Sequence, residues 1–119
     1  MTRPHVISLA EYRALTRRIA AERKVARRTI RALKAAGYTL GVHNGEELVL
    51  KHSTDERKIL AEMFSVDEER LIAYGPDGKR VGSVFFVYGN AGYEVINDYS
   101  LSLEPAMEAV CAYADTLED

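Results

Sequence analysis

The sequence predicts an α+β domain, an antiparallel sheet of about five strands with helices packed on it, in the order α-β-β-α-β-β-β-α. Three observations carry that expectation. Residues 9–36 contain no proline or glycine and repeat apolar side chains at helical spacing. After Gly37 the repeat falls to two, and short apolar runs follow between glycine- and asparagine-bearing turns. The helical period returns after Ser53 and again after Ser102.

The first helix opens at Ser8-Leu9-Ala10-Glu11, which has capping-box spacing, and Gly37 supplies a left-handed stop. A helix over 9–36 is about 40 Å long at 1.5 Å per residue. A body of this size is roughly 26 Å across, so part of the helix should overhang or meet a partner. At 100° per residue Tyr12, Leu15, Ile19, Ala26, Ile30 and Leu33 fall in one apolar stripe. Arg13, Arg17, Lys24, Arg27, Arg28 and Arg31 fall in a second, cationic stripe about a third of a turn away. Nothing in the fold is expected to require these basic side chains.

Tyr38, Leu40 and Val42 then alternate, as do Leu48 and Leu50. A three-residue loop over His43-Asn44-Gly45, with Gly45 left-handed in a bulge, gathers all five on one face. Ser53-Thr54-Asp55-Glu56 is a second capping box, opening a helix through Ile59, Leu60, Met63 and Phe64. Residues 70–74 read as a strand, and Gly75-Pro76-Asp77-Gly78 as a turn. The run from Val81 to Tyr88 reads as the central strand, and Tyr93 to Tyr99 as the last. Ser102 is expected to cap a final helix that tolerates Pro105 in its first turn. Leu103, Met107, Val110, Ala114 and Leu117 form the buried stripe of that helix.

A chain of 119 residues with 47% apolar and 29% charged side chains suits one globular domain. No apolar run reaches the ~18 residues of a membrane span. Met1-Thr2-Arg3-Pro4-His5 leads into a polar helix, so no signal peptide is expected. The single cysteine, Cys111, excludes an internal disulfide and suits a reducing, cytoplasmic setting. The net charge of −2 conceals a division. Residues 1–36 carry ten Lys/Arg against Glu11 and Glu22, whereas the rest carries six basic and sixteen acidic groups. Such asymmetry bears on partners rather than on fold.

The cationic stripe is the strongest functional signal. It suits salt-dependent contact with nucleic acid, but the body is acidic, and no helix-turn-helix, RNP or zinc-finger pattern accompanies it. An acidic protein surface, including that of a second copy, is an equally suitable partner. Tyr74, Phe86, Tyr88, Tyr93 and Tyr99 are read as core aromatics that share one sheet face.

Lys51-His52-Ser53-Thr54-Asp55-Glu56-Arg57 holds hydrolase residue types, but contiguous Ser, His and Asp cannot converge as a triad. His52 with Asp98 is the one conceivable acid–base pair. His5, His43 and His52 lack metal-ligand spacing, and Asp67-Glu68-Glu69 lacks the calcium-loop pattern. The acidic run is read as a solvated start to a strand. Cys111 is read as a small buried hydrophobe. Gly89 and Gly92 match no phosphate-binding loop.

Leu50-Lys51-His52-Ser53-Thr54-Asp55, Asp77-Gly78-Lys79-Arg80-Val81-Gly82 and Val87-Tyr88-Gly89-Asn90 give the stretch Val42 to Glu104 a family likeness. It resembles a group of short bacterial, phage and plasmid proteins with no named activity. The resemblance implies context alone: an accessory protein that binds host machinery, such as an anti-CRISPR-type inhibitor, or a nucleic-acid mimic using the acidic body.

The leading expectation is a non-enzymatic binding protein. Arg13, Arg17, Lys24, Arg27, Arg28 and Arg31 dock an acidic partner, and Tyr12, Leu15 and Ile19 self-associate. The alternatives are nucleic-acid binding by the same helix and a small enzyme built on His52 and Asp98. No cofactor, metal, membrane or small-molecule ligand is expected.

Overall fold

The computed structural model describes residues 6–118; His5, weighed above as a metal ligand, lies outside them. The observed order is α1 (Leu9–Ala35), β1 (Thr39–His43), β2 (Leu48–Ser53), α2 (Glu56–Glu62), β3 (Glu68–Tyr74), β4 (Arg80–Val87), β5 (Ile96–Tyr99), a 3₁₀ turn (Leu101–Leu103) and α3 (Glu104–Asp115). The strands form one antiparallel sheet in the order β2-β1-β3-β4-β5. This is the α+β arrangement that the change of period predicts.

Helix α1 starts and stops where its sequence directs. The Ser8 hydroxyl accepts from the Glu11 amide at 3.1 Å. At the other end Gly37 has φ +95°, its amide donates to the Lys34 carbonyl, and the Tyr38 amide reaches back to Leu33. Those two bonds are a Schellman closure, and only a left-handed residue permits it at low cost.

Parity along the strands separates the sheet into two unlike faces. Leu40, Val42, Leu71, Ala73, Val84 and Phe86 form one hydrophobic cluster with Val25, Ile30 and Leu33 of α1, Ile59 of α2 and Met107 and Val110 of α3. The described helices therefore pack on a single face. The alternate positions Gly41, Arg70, Ile72, Tyr74, Ser83 and Phe85 share the other. The aromatics consequently do not share one face: Tyr74 lies on the helix-free side, where its ring meets that of His52 at 4.1 Å. Phe85, on the same side, has the Arg70 guanidinium 4.5 Å above it. Tyr93 precedes the last strand, which begins at Ile96.

Four local expectations are corrected. The hairpin loop spans residues 44–47 rather than 43–45, because the Asn44 carboxamide accepts from the Glu46 and Glu47 amides, both at 2.9 Å. Gly45 is left-handed as expected, but a register shift beside Val42 leaves Leu48 exposed. The cap of α2 is Asp55, accepting from Arg57 and Lys58, while the Ser53 hydroxyl accepts from the Asp55 amide one step earlier. Ser102 caps nothing; its hydroxyl donates to the Val81 carbonyl, and a 3₁₀ turn leads into α3. Glu69 is not solvated: β3 starts at Glu68, and Glu69 is 1% exposed.

Candidate functional site

The buried positions of α1 are Glu22, Val25, Ala26, Thr29, Ile30 and Leu33. All lie in its second half. From Leu9 to Ala20, about 18 Å at 1.5 Å per residue, no residue is buried; the body's edge reaches this half only near Leu15 and Arg18, so its first turns run beyond the body. The molecule accordingly measures 57 × 33 × 22 Å along its principal axes. The apolar stripe does not end where the body ends. Tyr12 is 54% exposed and Ile19 39%, and Leu15 is only partly covered.

The cationic stripe also divides, though exposed Lys24 lies on the packed half. Arg31 binds Glu56 of α2 through two hydrogen bonds, Nε to Oε1 at 2.7 Å and a terminal nitrogen to Oε2 at 3.3 Å. That contact holds the Glu56 carboxyl below the usual carboxylate range and raises the guanidinium. Arg28 lies 4.0 Å over the ring of Tyr113 in α3. Both side chains reach across from α1 to a neighbouring helix. Arg27 is half-buried. Arg13, Arg17 and Lys24 are exposed, and among the described residues none forms an ion pair with a carboxylate.

A groove of about 620 Å³ lies where α1 leaves the body. Ala14, Leu15, Ala20 and Ala21 of the helix, with Ala91 and Leu117, give it an apolar floor; Arg17, Arg18 and Lys24 stand on its rim. Gly92 fixes the neighbouring contact. It has φ +91°, and a Cβ there would fall 2.9 Å from that of Ala21 and 3.1 Å from the Arg18 carbonyl oxygen. The loop between β4 and β5 thus approaches α1 at backbone distance.

A second constellation, a buried polar cluster beside this exit point, is not legible in the sequence. Glu69 takes the Phe64 amide at 2.9 Å and the Tyr88 hydroxyl on one carboxylate oxygen. Its other oxygen is buried with no hydrogen-bond partner among the described residues. Burial pushes the Glu69 carboxyl up, against the opposing pull of both donors. Burial, and then the bond to Glu69, pushes the Tyr88 phenol up as well. Phe64 has φ +72°, a conformation that costs a bulky residue of order 1–3 kcal/mol. Glu22, 5% exposed, accepts from the Gly89 amide at 2.8 Å. The cluster joins α1, the turn after α2 and the end of β4. Its groups hold one another in place.

His52 and Asp98 do not converge. They sit on β2 and β5, the two edges of the sheet, four strand spacings or roughly 19 Å apart. His52 contacts Thr39 and Tyr74 instead. Cys111 is half-buried and its thiol is raised by burial, the direction that disfavours a thiolate. Among the described residues no group of His, Cys, Asp or Glu is placed to hold a metal ion, and no helix is long and apolar enough to cross a membrane.

No family model, curated protein or solved structure matches the chain.

Proposed function

We propose that this chain is a non-enzymatic docking protein that engages an acidic protein surface through the projecting half of α1. The observation that carries the reading is the coincidence of two unsatisfied stripes on one segment. Tyr12, Leu15 and Ile19 continue an apolar stripe past the body; Arg13 and Arg17 stand on another face of the same segment, with Lys24 beyond them on the packed half, and among the described residues none of the three has an ion-pair partner. Apolar contact supplies affinity in such a pairing, and charge supplies rate and orientation. Arg28 and Arg31 contribute to the fold first. Host machinery with an acidic face suits such a helix, as does another protein of the same origin. Nucleic acid is the second reading, favoured by the same three uncompensated charges and opposed by the acidic body.

The test is a triple variant, Arg13→Ala, Arg17→Ala and Lys24→Ala. Alanine has the higher helix propensity, so helicity and thermal midpoint should hold. Capture of partners from nuclease-treated lysate should fall at least tenfold, whereas a control triple at Lys51, Lys58 and Lys79 should leave it unchanged. Equal capture by all three proteins rejects the reading. Capture abolished by nuclease alone, with affinity falling log-linearly in salt at about −0.9 per duplex phosphate neutralised, transfers the helix to nucleic acid.

A further inference from the structure

We infer that the helix-free face of the sheet carries a site for a small organic anion, a phosphate or carboxylate head on a flat apolar group, in the groove between Arg70 and Arg80. The site is separate from α1 and does not depend on the reading of that helix.

Strand register builds the groove. On this face His43, Arg70 and Phe85 stand in one cross-strand row, Gly41, Ile72 and Ser83 in the next, and Thr39, Tyr74 and Arg80 in a third. The middle row is low, because Gly41 has no side chain and Ser83 a short one. The ring of Tyr74 fills the gap over Gly41, where a Cβ would fall 3.0 Å from it. What remains is a dip over Ile72, which is 3% exposed although it lies outside the helix-side core. The groove holds about 600 Å³, within the roughly 300–1,000 Å³ of small-molecule sites. Its residues come from three strands, so spacing along the chain does not reveal it.

The donors at its walls are uncommitted. The Arg70 guanidinium lies 4.5 Å over the Phe85 ring, and Arg80 gives one nitrogen to the Ser83 hydroxyl at 3.2 Å. Among the described residues no carboxylate is within ion-pair distance of either, Asp98 opposite Phe85 included. That is notable in a body where residues 37–119 carry six basic and sixteen acidic groups. The Gly45 amide donates to Nδ1 of His43 at 3.1 Å, so the neutral ring carries its proton on Nε2 and offers a further donor. Guanidinium forks match the oxygens of a carboxylate or phosphate. Ile72 and Phe85 supply apolar surface for the attached group. Glu46 and Glu68 are exposed on the rim, while Glu69 turns to the other face to meet Tyr88. The rim carboxylates select for size: they repel a polyanion whose charges run past the groove more than one head group held between the arginines.

Amide shifts of the isotope-labelled protein, titrated with phenyl phosphate and with benzoate, test the site. These anions should move residues 41–43, 70–72 and 80–85 saturably, with a dissociation constant on the order of 1 mM for the tighter, which names the head group. Benzamide, which keeps the ring without the charge, should bind roughly tenfold more weakly. Arg70→Met and Arg80→Met keep the apolar stems and should each weaken the anion about tenfold, whereas Arg57→Met should not. Glu46→Gln combined with Glu68→Gln should tighten binding, a gain that damage to the fold cannot produce. Shifts that are absent, unsaturable or centred on Arg13, Arg17 and Lys24 overturn the inference, as does unchanged binding in both arginine variants. A single-stranded oligonucleotide that displaces phenyl phosphate from these residues at micromolar concentration also overturns it and gives the face to nucleic acid.

Discussion

Arg31 and Glu56 join the middle helix to the first by a two-point bond, and this bond takes one charge out of the cationic stripe. The pair is largely solvated, with side-chain exposures of 61% and 26%, so its worth to stability is small. Glu56→Gln should lower the thermal midpoint by a few degrees at most. The pH dependence is more telling. Arg31 depresses the folded-state pKa of Glu56, so the contribution is present above the ordinary carboxylate pKa and lost as pH falls through the depressed one. The wild-type advantage over Glu56→Gln should hold at neutral pH and vanish in acid. Two thermal melts across that range check it.

Glu69 should behave in the opposite sense. Its folded-state pKa is raised, so its stabilising contribution is complete below the ordinary carboxylate pKa and is lost as pH rises through the raised value. Glu69→Gln keeps an oxygen for the Phe64 amide and the Tyr88 hydroxyl without a charge to bury. The variant should be no more stable than the wild type in acid and should gain on it as pH rises past the carboxylate range. Parallel stability profiles, from urea unfolding at a series of pH values, would refute this account of the buried carboxyl.

Gly92→Ala tests the close approach of the loop to α1. The new Cβ would fall 2.9 Å from another Cβ and 3.1 Å from a backbone oxygen, at a φ that L side chains rarely adopt. Neither neighbour is the end of a flexible side chain. We expect a loss of roughly 1–3 kcal/mol in the free energy of unfolding. Gly89→Ala is the control: it shares the positive φ, but its Cβ would meet nothing within 4 Å. The difference between the two variants isolates the contact with Ala21 and Arg18.

The parts of the fold that were legible in the sequence are those fixed by local chemistry. Helix α1 follows from its 3.6-residue stripe and from Gly37, and the sheet from the change of period after it. The division of α1 into a packed and a projecting half was legible only through length, because Leu15 and Ile30 are alike as residues. Which one is covered depends on where the sheet stops. Asp55 rather than Ser53 caps α2 because two overlapping polar residues compete within two positions, and spacing alone does not choose between them. Glu69 was hidden for a different reason. Its environment comes from Tyr88, nineteen positions on, and from the amide of a left-handed Phe64. The separation of His52 from Asp98 depends on strand order, which parity and periodicity leave open.

The edges of the sheet carry a last consequence. β2 pairs with β1 through two register shifts, holds His52 at φ +54° and shows Lys51 to solvent. β5 is four residues long, paired through a further shift, and exposes Asn97 and Asp98. Neither rim is a straight ladder of free amides and carbonyls. A foreign strand would find broken register at one side and too short a template at the other, with a charge at each. The chain can therefore leave one sheet face free of helices and still resist growth into fibrils, so that encounters between molecules are directed to side chains rather than to backbone.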